Sequence, residues 1–150
     1  MRNKFTEEEI EAARYLGRLK GLSLRMKSKR RKLEELEQIA YPGGISYDKI
    51  RVQTSPGNPQ EDALIMVTEA VKDFDETAQE YHRTLIEIEN VIKQVGKTDP
   101  EGESILRCRY VAMMRCAEIA AEMSYSDKAF FLHYHKAHSE AAEILHKSTV

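Results

Sequence analysis

Between Leu64 and Val95, apolar residues recur at alternating steps of three and four, and this pattern constrains the fold more than any other feature of the sequence. A seam of more than four heptads indicates one long helix packed lengthwise against another. Asn58 can cap this helix and Pro59 suits its first position, so we expect it at about residues 60–95. The members of the seam are Leu64, Val67, Val71, Phe74, Ala78, Tyr81, Leu85, Ile88, Ile92 and Val95.

The N-terminal forty residues predict a second long helix. Thr6 and Glu9 form a capping box, and Phe5 and Ile10 occupy the two positions of a hydrophobic staple. The sequence therefore predicts a helix over about residues 7–40, whose apolar stripe only Lys29 interrupts. The stripe consists of Leu19, Leu22, Met26, Leu33, Leu36 and Ala40.

The two helices have matched lengths of roughly 50 Å at 1.5 Å per residue. A loop at residues 41–58, with two prolines and three glycines, separates them. We therefore predict an all-α chain that begins with a long antiparallel, coiled-coil-like helical hairpin. A parallel homodimer through the second helix is the competing arrangement, and both seams could be used at once.

The next boundary lies at Gly96–Pro100. Gly96 ends the second helix, Asp99 can cap the next one, and Pro100 fits its first position. The sequence thus predicts a hairpin over residues 1–97 and a separate C-terminal unit over residues 98–150, with a hinge between them.

Composition limits the class of protein. The chain is 41% hydrophobic and 32% charged with a net charge of −2, which is unlike a disordered chain. No stretch approaches the roughly 20 apolar residues of a membrane span, and the N-terminus lacks an apolar signal segment. Cys108 and Cys116 would lie about 12 Å apart on one helix, too far for a disulfide. We therefore expect buried thiols in a reducing, cytoplasmic compartment.

Charge is distributed unevenly along the chain. Residues 1–40 carry 11 basic and 7 acidic side chains, whereas residues 41–100 carry 6 and 11. The densest basic run, Arg25–Lys32, has six basic residues in eight. Such a run is either a solvated helix face or a contact to phosphates, and the sequence leaves both readings open.

The C-terminal unit contains the residue pattern of a helix-turn-helix. Ala120 is the small residue of the first helix, Ser124 takes the turn position usually held by glycine, and Ser126 can cap the second helix. Ile119 and Met123 would face inward before the turn, and Tyr125 would follow it. Phe130 and His133 would fill the inward positions of the second helix.

Three segments resemble a known family. They are Ile105–Tyr110, Glu118–Ser126 and the His-Lys-Ala of residues 135–137, and together they resemble region 4 of sigma factors. With Tyr47–Pro56, which includes Val-Gln-Thr-Ser-Pro, they are similar to the ArpU/RinA-type regulators of phages and prophages. The resemblance covers roughly residues 41–145. It implies a phage-encoded transcriptional regulator that binds promoter DNA in the cytoplasm of a bacterial host, without catalytic chemistry.

On a docked recognition helix, six side chains would face the DNA. They are Ser126, Asp127, Lys128, Phe131, Leu132 and His135. Most of them are not the Arg, Lys, Asn or Gln that usually read bases. An exposed Phe-Leu pair more often marks a protein contact, so the same unit could instead dock on RNA polymerase, a sigma factor or a repressor. A DNA-packaging adaptor of the small-terminase kind is a third interpretation.

Three arginines precede the motif. Arg107, Arg109 and Arg115 could contact DNA phosphates, or they could pair with Glu103 and Glu118. We expect no cofactor, because the sequence has no phosphate-binding loop, nucleophile elbow or paired Cys-x-x-Cys. His135 and His138 could share a helix face, but no third metal ligand completes a set there. An enzyme is not expected.

Overall fold

The computed structural model describes residues 4–43 and 59–148, and all regular secondary structure in these residues is helical. The predicted all-α class is therefore confirmed. Most of the predicted loop, including Tyr47–Pro56 and the cap at Asn58, lies outside the described residues. The helices are α1 (Glu7–Leu16), α2 (Arg18–Ala40), α3 (Pro59–Gly96), α4 (Pro100–Leu106), a π-helical segment (Arg107–Val111), α5 (Cys116–Glu122) and α6 (Asp127–Ser148).

The described residues form two compact units. One, here called the helix-pair unit, comprises residues 22–81, and the other, the terminal unit, comprises residues 1–21 and 82–150. The unit boundary therefore falls within α2 and α3 rather than at the predicted position after residue 97. The physical reason is that the end of α3 contributes buried side chains such as Ile88, Ile92 and Val95 to the terminal unit.

In the helix-pair unit, ion pairs join α2 to α3. Arg25 Nη2 lies 3.8 Å from Glu80 Oε2, and Lys29 Nζ lies 2.8 Å from Asp73 Oδ1. Residue numbers rise along α2 as they fall along α3, so the two helices run antiparallel here. The α2 stripe lies on the covered side, since Leu22, Leu36 and Ala40 are at most 9% exposed.

The contact face of α3 lies beside the predicted seam. Thr77 is 2% exposed, whereas Val71, a predicted seam member, is 40% exposed. Lys29, the polar residue in the α2 stripe, contacts α3 at this point. Its ammonium group donates to Thr77 Oγ1 at 2.5 Å as well as to Asp73, so Thr77 faces α2. Ala63 and Thr84 are also buried, one position before Leu64 and Leu85 of the prediction.

In the terminal unit, the predicted first helix is two helices. Thr6 caps α1 by accepting a hydrogen bond from the Glu9 amide at 3.2 Å, which confirms the predicted cap. α1 ends at Leu16, and Gly17 separates it from α2. A Cβ at Gly17 would meet the Ala13 carbonyl oxygen at 2.9 Å, so the chain turns where a side chain would be crowded.

Phe5, the first residue of the predicted staple, lies against α6. Its ring packs on α6, with centroid distances of 5.5 Å to Tyr134 and 4.8 Å to His138. Ile10 is 39% exposed. The apolar partner that Phe5 meets is more than 120 residues away in sequence, so Phe5 fastens the start of the chain to its last helix.

Within the described residues, no helix is long and apolar enough to cross a membrane.

We expect Phe5→Ala to lower the free energy of unfolding by about 2 kcal/mol, because it removes a half-buried ring from an aromatic cluster. Ile10→Ala is the matched control, and we expect a change below about 0.5 kcal/mol because the side chain is exposed. Urea unfolding followed by circular dichroism measures both. Equal effects of the two substitutions would instead support the local staple.

Candidate nucleic-acid interface

The C-terminal helices start from a capped turn. Asp99 accepts a hydrogen bond from the Gly102 amide at 3.0 Å, and Pro100 opens α4, as predicted. Gly102 is a close-approach position that the sequence reading did not identify. A Cβ there would overlap the Asp99 carboxylate and lie 3.1 Å from Ala137 Cβ, so its absence lets α4 pack tightly on α6.

α4 continues into the π-helical segment, and the helical structure ends after Val111. The Ala112 amide bonds to the Arg107 carbonyl at 3.0 Å, and Met113 adopts a left-handed backbone with φ 58°. Cys108 and Cys116 therefore lie on separate helical segments, and the prediction of one helix carrying both is wrong. Both thiols are free and only half-buried, and both pack against the same apolar cluster.

α5 and α6 are joined by a four-residue turn, Met123–Ser126. Ser124 has φ 58°, and the amides of Ser124 and Tyr125 bond to the carbonyls of Ala121 and Ala120 at 3.2 and 2.9 Å. This is a Schellman ending, which requires a left-handed residue where Ser124 stands. Ser126 then caps α6, accepting from the Ala129 amide at 3.2 Å, as predicted.

A buried cluster fixes the two helices to their neighbours. Its members are Ile105, Ile119, Ala120, Phe130 and Tyr134. Met123 and Tyr125 pack against the cluster, so the inward positions predicted around the turn carry the expected contacts.

His133 differs from the prediction of an inward side chain. Its side chain is 35% exposed, its ring stacks on Tyr125 with centroids 4.8 Å apart, and its Nδ1 lies 3.3 Å from Glu101. The Tyr125 hydroxyl donates to the same carboxylate at 2.5 Å. Tyr134, the next residue, takes the buried position instead, and its ring stacks on Phe130 with centroids 5.2 Å apart.

The first turns of α6 present an exposed face. Ser126, Asp127 and Lys128 are exposed, and Phe131 and Leu132 are 42% and 57% exposed. Five of the six predicted outward residues therefore lie on one open surface. Lys128 is the one cation among them.

His135 is not part of that surface. Its Nδ1 lies 2.8 Å from Glu9 Oε2, its side chain is 17% exposed, and its ring meets Phe5 edge-on. The outward placement of His135 was wrong because α1 covers this side of α6, and no local sequence pattern indicates that α1 packs there.

All three arginines have partners within the chain, and they differ in exposure. Arg107 pairs with Glu89 at 2.6 Å and Glu103 at 3.3 Å. Arg109 donates to the Met114 carbonyl at 3.0 Å, and its Nε is buried without a hydrogen-bond partner. Arg115 pairs with Glu118 at 2.6 Å, yet its side chain is 84% exposed. Among these three, Arg115 is the one open to an external phosphate.

A buried histidine holds the π-helical segment to α6. The Tyr110 hydroxyl lies 2.5 Å from His138 Nε2, and His138 Nδ1 lies 2.7 Å from the Tyr134 carbonyl. A carbonyl only accepts, so Nδ1 carries the proton and Nε2 accepts from Tyr110. Burial lowers the pKa of His138 to about 4 and raises the pKa of Tyr110, so both groups are neutral near pH 7.

Comparison of the chain with protein-family models, curated proteins and solved structures found no match. The described residues contain no group of three His, Cys, Asp or Glu side chains that could hold a metal ion.

The low pKa of His138 has a consequence for stability. The ordinary pKa is 6.5 and the folded value is about 4, so the unfolded chain binds a proton between these values that the folded chain does not. We expect the free energy of unfolding to fall by about 3 kcal/mol as the pH drops through this window.

Urea unfolding across the same pH range measures this loss. His138→Gln removes the titrating group and should flatten the pH dependence, whereas His82→Gln, at an exposed position, should leave it unchanged. A pH dependence that His138→Gln does not alter would contradict the assignment.

Proposed function

We propose that this chain is a phage-type transcriptional regulator that engages promoter DNA with the first turns of α6, acting in the cytoplasm of a bacterial host. The supporting observation is the exposed start of α6, which the Schellman turn at Ser124 and the Ser126 cap hold at a defined angle to α5. A helix that enters the major groove needs such a free N-terminal end on a rigid support.

The charged side chains near the exposed start of α6 indicate how it would contact DNA. Lys128 is exposed and forms no ion pair with a described residue, and Arg115 sits just before α5 with most of its side chain in solvent. Each of these two cations suits a phosphate contact, and Phe131 can contact a thymine methyl group. Because Arg107 and Arg109 are engaged internally, we assign them to holding the fold.

Binding can be tested with a duplex that the full chain selects from a random-sequence library. We expect affinity for that duplex to fall steeply with salt, and we expect Lys128→Glu with Arg115→Glu to weaken binding and to lower the salt slope by about 2. Lys147→Glu, an exposed charge reversal in the last turn of α6, should change the affinity for the duplex far less. Enrichment of no sequence, or equal binding by the double variant, would contradict the proposal.

A second candidate function is docking on a protein of the transcription machinery, such as RNA polymerase. The specific observation is that Phe131 and Leu132 are the most exposed large apolar side chains of α6, with Lys128 and Asp127 beside them. Exposed apolar pairs of this kind are more typical of a protein contact than of base recognition.

Purified bacterial RNA polymerase, with and without its sigma factor, serves as the probe. On this second interpretation we expect Phe131→Ala with Leu132→Ala to weaken binding by about tenfold or more while the helical content stays unchanged. Ile86→Ala is the matched control, since Ile86 is also exposed, at 48%. Wild-type binding by the double variant would reject this function without bearing on DNA binding.

A further inference from the structure

The two edges of the α2–α3 contact in the helix-pair unit differ. In a packed helix pair with 3.5 residues per turn, positions seven apart share an edge. Asp73 and Glu80 lie on one edge of α3, and both reach basic residues of α2. On the other edge, the corresponding positions are Leu64, Val71 and Ala78. No ion pair between described residues closes that edge.

This second edge is apolar and only partly covered. Val71 is 40% exposed, and Leu64, Ala78 and Phe74 are half-buried. From α2, Met26 and Leu33 are half-buried too. We call these six residues the open face of the helix-pair unit.

The unit has little core of its own. Among its described residues, those below 10% exposure are Leu22, Leu36, Ala40, Ala63 and Thr77. Two helices alone cannot cover the apolar stripes on both, so a pair of this length gains stability from a further layer. The open face is where that layer fits.

Charge complementarity favours a second copy of this chain as the partner of the open face. Apart from the residues already paired between α2 and α3, residues 22–40 carry four basic and three acidic side chains, whereas residues 59–81 carry one basic and five acidic. A second copy turned by a two-fold axis parallel to the helices would place each basic α2 beside an acidic α3. The same unit therefore presents both halves of a complementary surface.

We propose that the open faces of two copies pack together and form a four-helix bundle. Arg30 lies level with Phe74, since its guanidinium carbon is 5.6 Å from the ring centroid. Arg30 and Asp75 are both exposed, and neither forms an ion pair with a described residue. A two-fold axis parallel to the helices leaves each residue at the same level along the bundle. Asp75 is next to Phe74, so Arg30 meets Asp75 of the partner subunit.

The face reaches the lower size limit of a specific interface. About 19 helical residues span about 28 Å, and two helices side by side are about 20 Å wide. The projected area is therefore about 560 Å² per copy and about 1,100 Å² for the pair, which reaches the roughly 1,000 Å² that specific interfaces require.

Light scattering and sedimentation of the full chain test the proposal. We expect a dimer of twice the 17.3 kDa chain mass. Val71→Glu places an unpaired charge in the interface and should weaken dimerisation by about tenfold or more. Ile65→Glu is the matched control, because Ile65 is 57% exposed on the same helix but off the open face, and it should leave the dimer intact.

A charge exchange tests the pairing itself. Arg30→Asp puts like charges together across the interface and should weaken the dimer by about threefold or more, as should Asp75→Arg. The chain with both substitutions should regain most of the wild-type dimerisation. Circular dichroism establishes that each variant keeps its helices, so a loss of dimer is separate from a loss of fold.

A monomeric wild-type chain, a larger ring, or a dimer that Val71→Glu leaves unchanged would overturn the proposal. Failure of the double charge exchange to recover dimerisation would overturn the Arg30–Asp75 pairing and the register that goes with it. None of these measurements uses nucleic acid, so their outcome is independent of whether α6 binds DNA.

Discussion

In the terminal unit, the neutral imidazole of His138 accepts from the Tyr110 hydroxyl and donates to the Tyr134 carbonyl, while the Phe5 ring packs beside it. These contacts join the π-helical segment, α6 and the start of the chain. A fully buried polar ring is stable only when both nitrogens are satisfied, and here one tautomer satisfies both. The position of α6, and hence the direction of its exposed first turns, depends on this arrangement.

The same anchoring determines which charges remain for a partner. Arg107 joins the π-helical segment to Glu89 of α3, and Arg109 joins it to the Met114 carbonyl. His135 holds α1 through Glu9. What stays open is a small mixed surface of Lys128, Asp127, Phe131 and Leu132 at the start of α6, and the exposed Arg115 before α5. In the proposed dimer, two such surfaces would act on one partner and combine their affinities.

In the helix-pair unit, Lys29 joins two helices through polar contacts, as His138 does in the terminal unit. Its bonds to Asp73 and Thr77 place a polar contact inside an otherwise apolar seam, which favours one register over the alternatives. Thr77 is buried at this contact, and Val71 lies at its edge. The apolar residues that the heptad pattern assigned to one contact are thereby divided between the contact with α2 and the open face.

Local rules determined the all-α class and most helix ends. The caps at Thr6, Asp99 and Ser126 and the left-handed turn at Ser124 depend on residues within five positions of each other, so the sequence alone predicts them. The break at Met113, the docking of Phe5 on α6, and the internal use of Arg107, Arg109 and His135 depend on distant partners. No glycine or proline marks the break, and a charged or aromatic side chain looks the same in sequence whether it faces solvent or a neighbour. Tertiary packing alone decided which of the predicted interface residues remained exposed, because burial is a property of pairs of segments.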